Sequence, residues 1–198
     1  MFKTRPMRLA LGVTLALALG IPAGLAWLFR TRIFLGDTAL DHLTFAAPSH
    51  IPGAGDGLFA AEDLKRGQIF AEMGGLLVLQ RQVKHRGYLF AVPACGASDL
   101  WPYDALDGTV YGGHASKTNF APRRINGVET TFQNAQGLFA CHRPYVVFQA
   151  TRDIPKGSEI FISYGVEYDY DFMQFDAVKT YFCETAHVDC SAKFDWEP

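Results

Sequence analysis

Three places in this chain combine residue types and spacings that can serve chemistry. The first is the run Ser49-His50-Ile51-Pro52-Gly53-Ala54-Gly55-Asp56-Gly57, where glycines alternate at 53, 55 and 57. Glycine is needed where the backbone takes a positive φ or must approach a ligand closely. The run therefore reads as a tight turn between two strands that can also lay main-chain groups against a bound molecule. The second place is Arg123-Arg124-Ile125-Asn126-Gly127, followed by Gln133-Asn134. Asn126 is read either as a turn former or as a side-chain amide offered to a ligand. The third is Tyr164, which closes the stretch Glu159 to Tyr164 with a hydroxyl at a strand end. HExxH, GxSxG and Walker patterns do not occur in the sequence, so metalloprotease, serine-hydrolase and P-loop chemistry have no support.

Short strands punctuated by Gly and Pro must position these residues. Strand-like pieces at His42 to Ala46, Leu58 to Ala60 and Ile69 to Ala71 alternate with the turn-forming PSHIPGAGDG and LKRGQ, a pattern that predicts an all-β or α+β domain. Residues 76–95 carry two apolar runs around a basic turn and are expected to form a hairpin. The stretch from Ala97 to Arg124 is rich in Gly, Ser, Asp and Pro and reads as an irregular insert with a strand or two. YVVFQATRDIPKGSEIFISYG predicts a strand, a turn on Pro155-Lys156-Gly157 and a second strand. Tyr168, Phe172, Phe175 and Val178 fall at helical spacing, so a C-terminal helix is expected over 168–182.

Composition narrows the classes. With 18 basic and 20 acidic residues among 198, the chain carries no electrostatic footprint for a phosphate backbone, so direct nucleic-acid binding is not expected. Leu9 to Phe29 runs without a charge and, at about 1.5 Å per helical residue, matches the hydrocarbon thickness of a bilayer. A retained single-pass anchor is the first reading, with Trp27, Arg30 and Arg32 as an interfacial stop. Cleavage near Ala23 to Ala26, giving an exported domain, and an organelle-targeting leader are the alternatives. Lys3, Arg5 and Arg8 before the segment, against Arg30 and Arg32 behind it, mildly favour a non-cytoplasmic domain. The chain divides into the hydrophobic segment 1–35, a domain at 36–170 and a C-terminal helical extension at 171–198.

The ordered set SHIPGAGDGLFAAEDLKRGQ, RRIN with Gln133-Asn134, and ATRDIPKGSEIFISYG resembles the SET family of protein lysine methyltransferases, across Ser49 to Gly165. The resemblance implies a mostly β (β+α) fold of short strands in small sheets, with a threaded C-terminal segment behind one hydrophobic helix. It also implies S-adenosyl-L-methionine as cofactor and a protein lysine side chain as acceptor. Gly53, Ala54, Gly55, Asp56 and Gly57 would lie against the cofactor's methionine end, Asn126 against its purine, and Tyr164 at the mouth of the lysine channel. The in-line transfer needs a neutral amine held on the sulfur–methyl axis. An apolar, aromatic-walled channel helps, because an unperturbed lysine has a pKa of about 10.4. Tyr88, Phe90, Tyr164 and Tyr168 are candidates for that wall.

The chain departs from the family pattern at several points. Gly127 stands where the family has His, Met73 stands where its early strand has Tyr, and Ile162 holds a position that is often Phe or Tyr. The cysteine-rich zinc tail of many members has no counterpart, since Cys183, Cys190 and His187 give three ligands where structural zinc takes four. No metal is expected; Cys183 and Cys190 read as two thiols, or as a disulfide if the domain is exported. The departures leave a second function open, a catalytically inactive SET-like domain acting as a membrane-tethered protein-binding module.

Overall fold

The computed structural model describes residues 33–36, 38–83, 87–92, 103–166 and 168–198. The hydrophobic segment 9–29 and the membrane and localisation readings that depend on it lie outside these residues. Among the described residues no helix is long and apolar enough to cross a membrane.

Short strands carry the chain through four small sheets. In chain order they are β1 (Ile33–Phe34), β2 (Thr44–Pro48), β3 (Asp56–Ala60), β4 (Ile69–Glu72), β5 (Gly75–Val78), β6 (Leu89–Ala91) and β7 (Ala105–Asp107). β8 (Asn119–Phe120), β9 (Arg124–Ile125), β10 (Val128–Glu129), β11 (Ala135–Phe139), β12 (Val146–Ala150), β13 (Glu159–Ile162) and β14 (Trp196–Glu197) follow. The sheets are ordered β1-β5-β7-β6, β10-β9-β14, β11-β12-β4 and β2-β3-β13-β8.

The last of these sheets builds the site. β2 and β3 form a hairpin whose register runs from Thr44 opposite Ala60 to Pro48 opposite Asp56, leaving the Gly-rich segment as its loop. Alternation alone does not describe β3 and β13, which bury Leu58, Phe59, Ala60, Ile160, Phe161 and Ile162 nearly completely. Strands covered on both faces read as continuous apolar runs. β13 then pairs in parallel with β8, Phe161 opposite Asn119 and Ile162 opposite Phe120. Parallel neighbours cannot be joined by a tight turn. That pairing carries the chain leaving β13 past residues 118–120, forty positions earlier in sequence.

Two expectations are corrected here, and a third gains its sheet assignment. Residues 76–95 do not form a hairpin, because β7 lies between β5 and β6 and pairs with both. The strands on either side of Pro155-Lys156-Gly157 form as expected, and because they belong to different sheets the turn hands the chain from β12 over to β13. The C-terminal helix starts late: a 3₁₀ turn occupies Asp171–Gln174, Phe175 is extended (φ −72°, ψ 129°), and α1 runs Asp176–Ala186. Tyr168 and Tyr170 instead precede the helix, their rings packed at a tilt against Tyr164 and Phe120.

Two apolar clusters hold these sheets. One includes Leu58, Phe70, Met73, Leu77, Leu106, Tyr145 and Phe148; the other joins Phe120, Ile125, Phe161 and Met173 to Val178 and Phe182 of α1. Tyr164 packs against both.

Candidate functional site

The Gly-rich loop owes its shape to one buried acid. Glu159, at the start of β13, is 4% exposed, and its carboxylate accepts hydrogen bonds from the Ser49 hydroxyl (2.6 Å) and the His50 backbone N–H (2.9 Å). It also accepts from the Asn119 amide at 3.3 Å and lies 3.1 Å from His50 Nδ1. A carboxylate with so many donors can stay buried where an unpaired one cannot. Gly53 and Gly55 adopt φ of 79° and 75°, with nothing near where a Cβ would stand, so their need for glycine is conformational. Gly57 is different: a Cβ there would collide with the Glu159 carboxylate.

Against this loop lies a cavity of about 390 Å³, lined by Ile51 to Asp56, Lys117, Asn119, Phe120, Tyr164, Tyr168, Phe172, Phe175 and Val178. Its size falls within the range of small-molecule sites. A second cavity of about 260 Å³ is lined by Leu89 to Ala91, Thr118, Phe139, Ser163 and Gly165 among others. Gly87, Tyr88, Ser116, Tyr164 and Tyr168 line both. The shared wall is thus largely tyrosine.

Tyr164 is fixed within that wall. Its hydroxyl donates to the Thr118 carbonyl at 2.9 Å, a contact that the parallel β8–β13 pairing makes possible, and its ring packs 4.6 Å from that of Tyr168. The residue as a whole is only partly covered, but its hydroxyl end is sunk. Burial, reinforced by Tyr168, Tyr88 and Tyr170, pushes the phenol well above its usual value, so it is protonated at any physiological pH. Tyr168 is raised by the same cause, with Asp169 and Tyr88 adding to it. Tyr170, its hydroxyl donating to Gly165 O at 2.7 Å, is pushed up to about 12, mainly by burial.

Asn126 stands apart from the other residues that the sequence pointed to. Like Gly57, which packs against Glu159 instead, it lines neither cavity. It adopts φ 50°, and its amide nitrogen donates to Asp189 O (3.0 Å) and Lys193 O (3.1 Å), while its amide oxygen accepts from Asp195 N–H (2.9 Å). Its own backbone N–H donates to Asp195 O at 2.6 Å. Every polar group of this side chain is spent on the C-terminal segment. That segment is held to α1 by a disulfide between Cys183 and Cys190, with Cα atoms 6.1 Å apart. Among the described residues no cysteine is free, and no group of three or more His, Cys, Asp or Glu is placed to hold a metal.

Met73 and Ile162, the other departures, are buried in the first cluster and line neither cavity. The SET domain family model matches residues 55–165, more than half of the chain. The chain belongs to the SET-domain family. Among solved structures, the methyltransferase domain of human PR domain-containing protein 2 is similar at 20% identity and TM-score 0.48, covering 65% of this chain and 80% of that one. The Chaetomium thermophilum polycomb repressive complex 2 matches at 24% identity and TM-score 0.48, over 63% of this chain and 15% of that one. No curated protein sequence matches.

Several residues of this SET domain that matter to the site were not singled out from the sequence. Glu159 was passed over as a strand residue, although an acid in so apolar a strand is itself a signal of a buried partner. Asn134, noted only as part of a motif, is buried and bonds both Glu159 O (2.8 Å) and Phe161 N–H (2.9 Å), tying the start of β11 to β13. Lys117, Asn119 and Ser116 gave no pattern at all.

Proposed function

We propose that this SET domain is an S-adenosylmethionine-dependent protein lysine N-methyltransferase, tethered to a membrane through residues 9–29. The observation that carries the reading is the tyrosine wall common to two cavities: one against the Gly-rich loop, one on the side of Phe90 and Phe139. Transfer between two bound molecules needs two compartments meeting at one point, and positioning supplies most of the barrier reduction.

The residues fit the cofactor. Gly53 to Asp56 line the cavity and offer backbone to it, and Lys117 Nζ lies 3.8 Å from Asp56 Oδ2 at the rim of the same cavity. One cation and one anion side by side suit the zwitterionic amino-acid end of such a ligand. Phe120 and Phe172 offer ring faces to its apolar and aromatic parts. When bound, S-adenosylmethionine supplies a methyl group activated by a sulfonium.

The acceptor side then has two tasks. Tyr88, Phe90, Phe139 and Tyr168 line an apolar compartment that disfavours an ammonium and so lowers the cost of a neutral amine. Tyr164, held protonated with its hydrogen engaged by Thr118 O, offers oxygen lone pairs rather than a base. It orients the amine and does not deprotonate it; the ammonium proton leaves to water.

A second reading, an inactive SET-like module that binds protein at a membrane, is favoured by one observation. The Cys183–Cys190 disulfide suits an oxidising compartment, whereas S-adenosylmethionine is made in the cytosol. One titration separates the two. The full chain titrated with S-adenosylhomocysteine should bind in the micromolar range, and label from methyl-labelled S-adenosylmethionine should appear on lysine-rich peptides with wild type but not with Tyr164→Phe. Folded protein that binds neither nucleoside would sink the methyltransferase reading.

A further inference from the structure

Asn126 is placed by the family resemblance beside a purine, yet its side chain is saturated by residues 189–195. Those residues are pinned at one end by the Cys183–Cys190 bond and at the other by β14, where Trp196 pairs with Ile125 and Glu197 with Arg124. The Trp196 ring then packs 5.6 Å from Phe120 and 4.9 Å from Tyr170. Phe120 lines the larger cavity and lies 5.9 Å from Tyr164. An unbroken set of contacts runs from the disulfide through Asn126 and Trp196 to the tyrosine wall.

We propose that the C-terminal segment is a disulfide-held clasp that positions Phe120 and Tyr164, with Asn126 as its anchor, so that Asn126 serves the site through the clasp and not by touching a ligand. Two features support this. Residues 189–197 lack regular structure apart from the two-residue β14, so little within the segment fixes their path. An amide that bonds three backbone groups of one irregular segment, beside a covalent tie, is what such a segment needs to hold one conformation. Among the aromatic contacts of Phe120, Trp196 is the only one contributed by the segment.

The cofactor part of this inference rests on the function proposed above, and the test separates the two. In the full chain, amide hydrogen exchange reports the clasp directly, because Arg123 N–H donates to Glu197 O and Asn126 N–H to Asp195 O. Opening the bond with Cys183→Ser/Cys190→Ser should expose these two amides, raise exchange at Ala121, whose N–H next to Phe120 donates to Ile162 O at 3.4 Å, and weaken S-adenosylhomocysteine binding about tenfold. Asn126→Ala should do the same in disulfide-bonded protein, and adding it to the double variant should weaken binding little further, since both release one element. Trp196→Phe should restore most of the affinity lost in Trp196→Ala. Unchanged protection at Arg123 and Asn126 when the bond is opened, or lost protection with full affinity, would overturn the clasp. Wild type that binds no S-adenosylhomocysteine would sink the cofactor reading. The clasp would then be supported by faster exchange at Ala121 in the double variant and overturned by its absence.

Discussion

The loop at 49–57 and the turn at 126–127 are the two places where the family pattern promises contact with a cofactor, and the molecule treats them oppositely. The loop is braced from beneath by Glu159 and leaves its outer face to a cavity. The turn is covered by its own chain, every polar atom of the Asn126 side chain satisfied internally. A motif shared with a family thus fixes where a residue sits in the fold, while its partners decide what it does there.

The sharpest way to break this contrast is to remove the brace. Glu159→Ala leaves the part-buried Ser49 hydroxyl, His50 N–H and Asn119 amide without their acceptor, and hydrogen bonds to a charged group are worth roughly 1.5–3 kcal/mol. Thermal melts should show a loss of about 3 kcal/mol, with ligand binding gone. Gly57→Ala drives a methyl into the Glu159 carboxylate and should cost about 2 kcal/mol, a typical overpacking penalty, together with S-adenosylhomocysteine affinity. Asn126→Ala should cost about 1–2 kcal/mol for its lost hydrogen bonds, with weakened rather than abolished binding. Equal loss of binding from Asn126→Ala and Gly57→Ala would erase the distinction between the two regions.

Tyr164→Phe should change stability by under about 1 kcal/mol, the worth of one net hydrogen bond, and leave cofactor affinity intact while methyl transfer stops. The smallest effect is in alkali. Tyr170 titrates higher in the folded chain than in the unfolded one, so its contribution is complete below the unfolded value near 10 and fades as pH rises toward about 12. Melting temperature should fall across that window, less steeply in Tyr170→Phe than in wild type.

The sheet hairpin around Gly53 to Gly57 was legible in the sequence because turn chemistry and apolar strands are local signals. The strand around Ile160 and the tyrosine at its end were legible for the same reason. The interposition of β7 between β5 and β6 was not, since pairing partners far apart in sequence leave no local mark. Nor was the role of Glu159, which depends on three donors contributed by two other segments. The helix start was misplaced because Tyr168 satisfies helical spacing and ring-on-ring packing against Tyr164 alike, and tertiary packing overrides spacing.

The parallel pairing of β8 with β13 and the antiparallel pairing of β9 with β14 also set an order of events during synthesis. β8 and β9 leave the ribosome some forty and seventy residues ahead of the strands that complete them. Until then each presents bare backbone donors and acceptors, which other chains can capture. Contacts so distant in sequence close slowly. Assembly of the tyrosine wall is therefore a late step, and a pause or cut before residue 159 would release a chain with half of each cavity and two open strand edges.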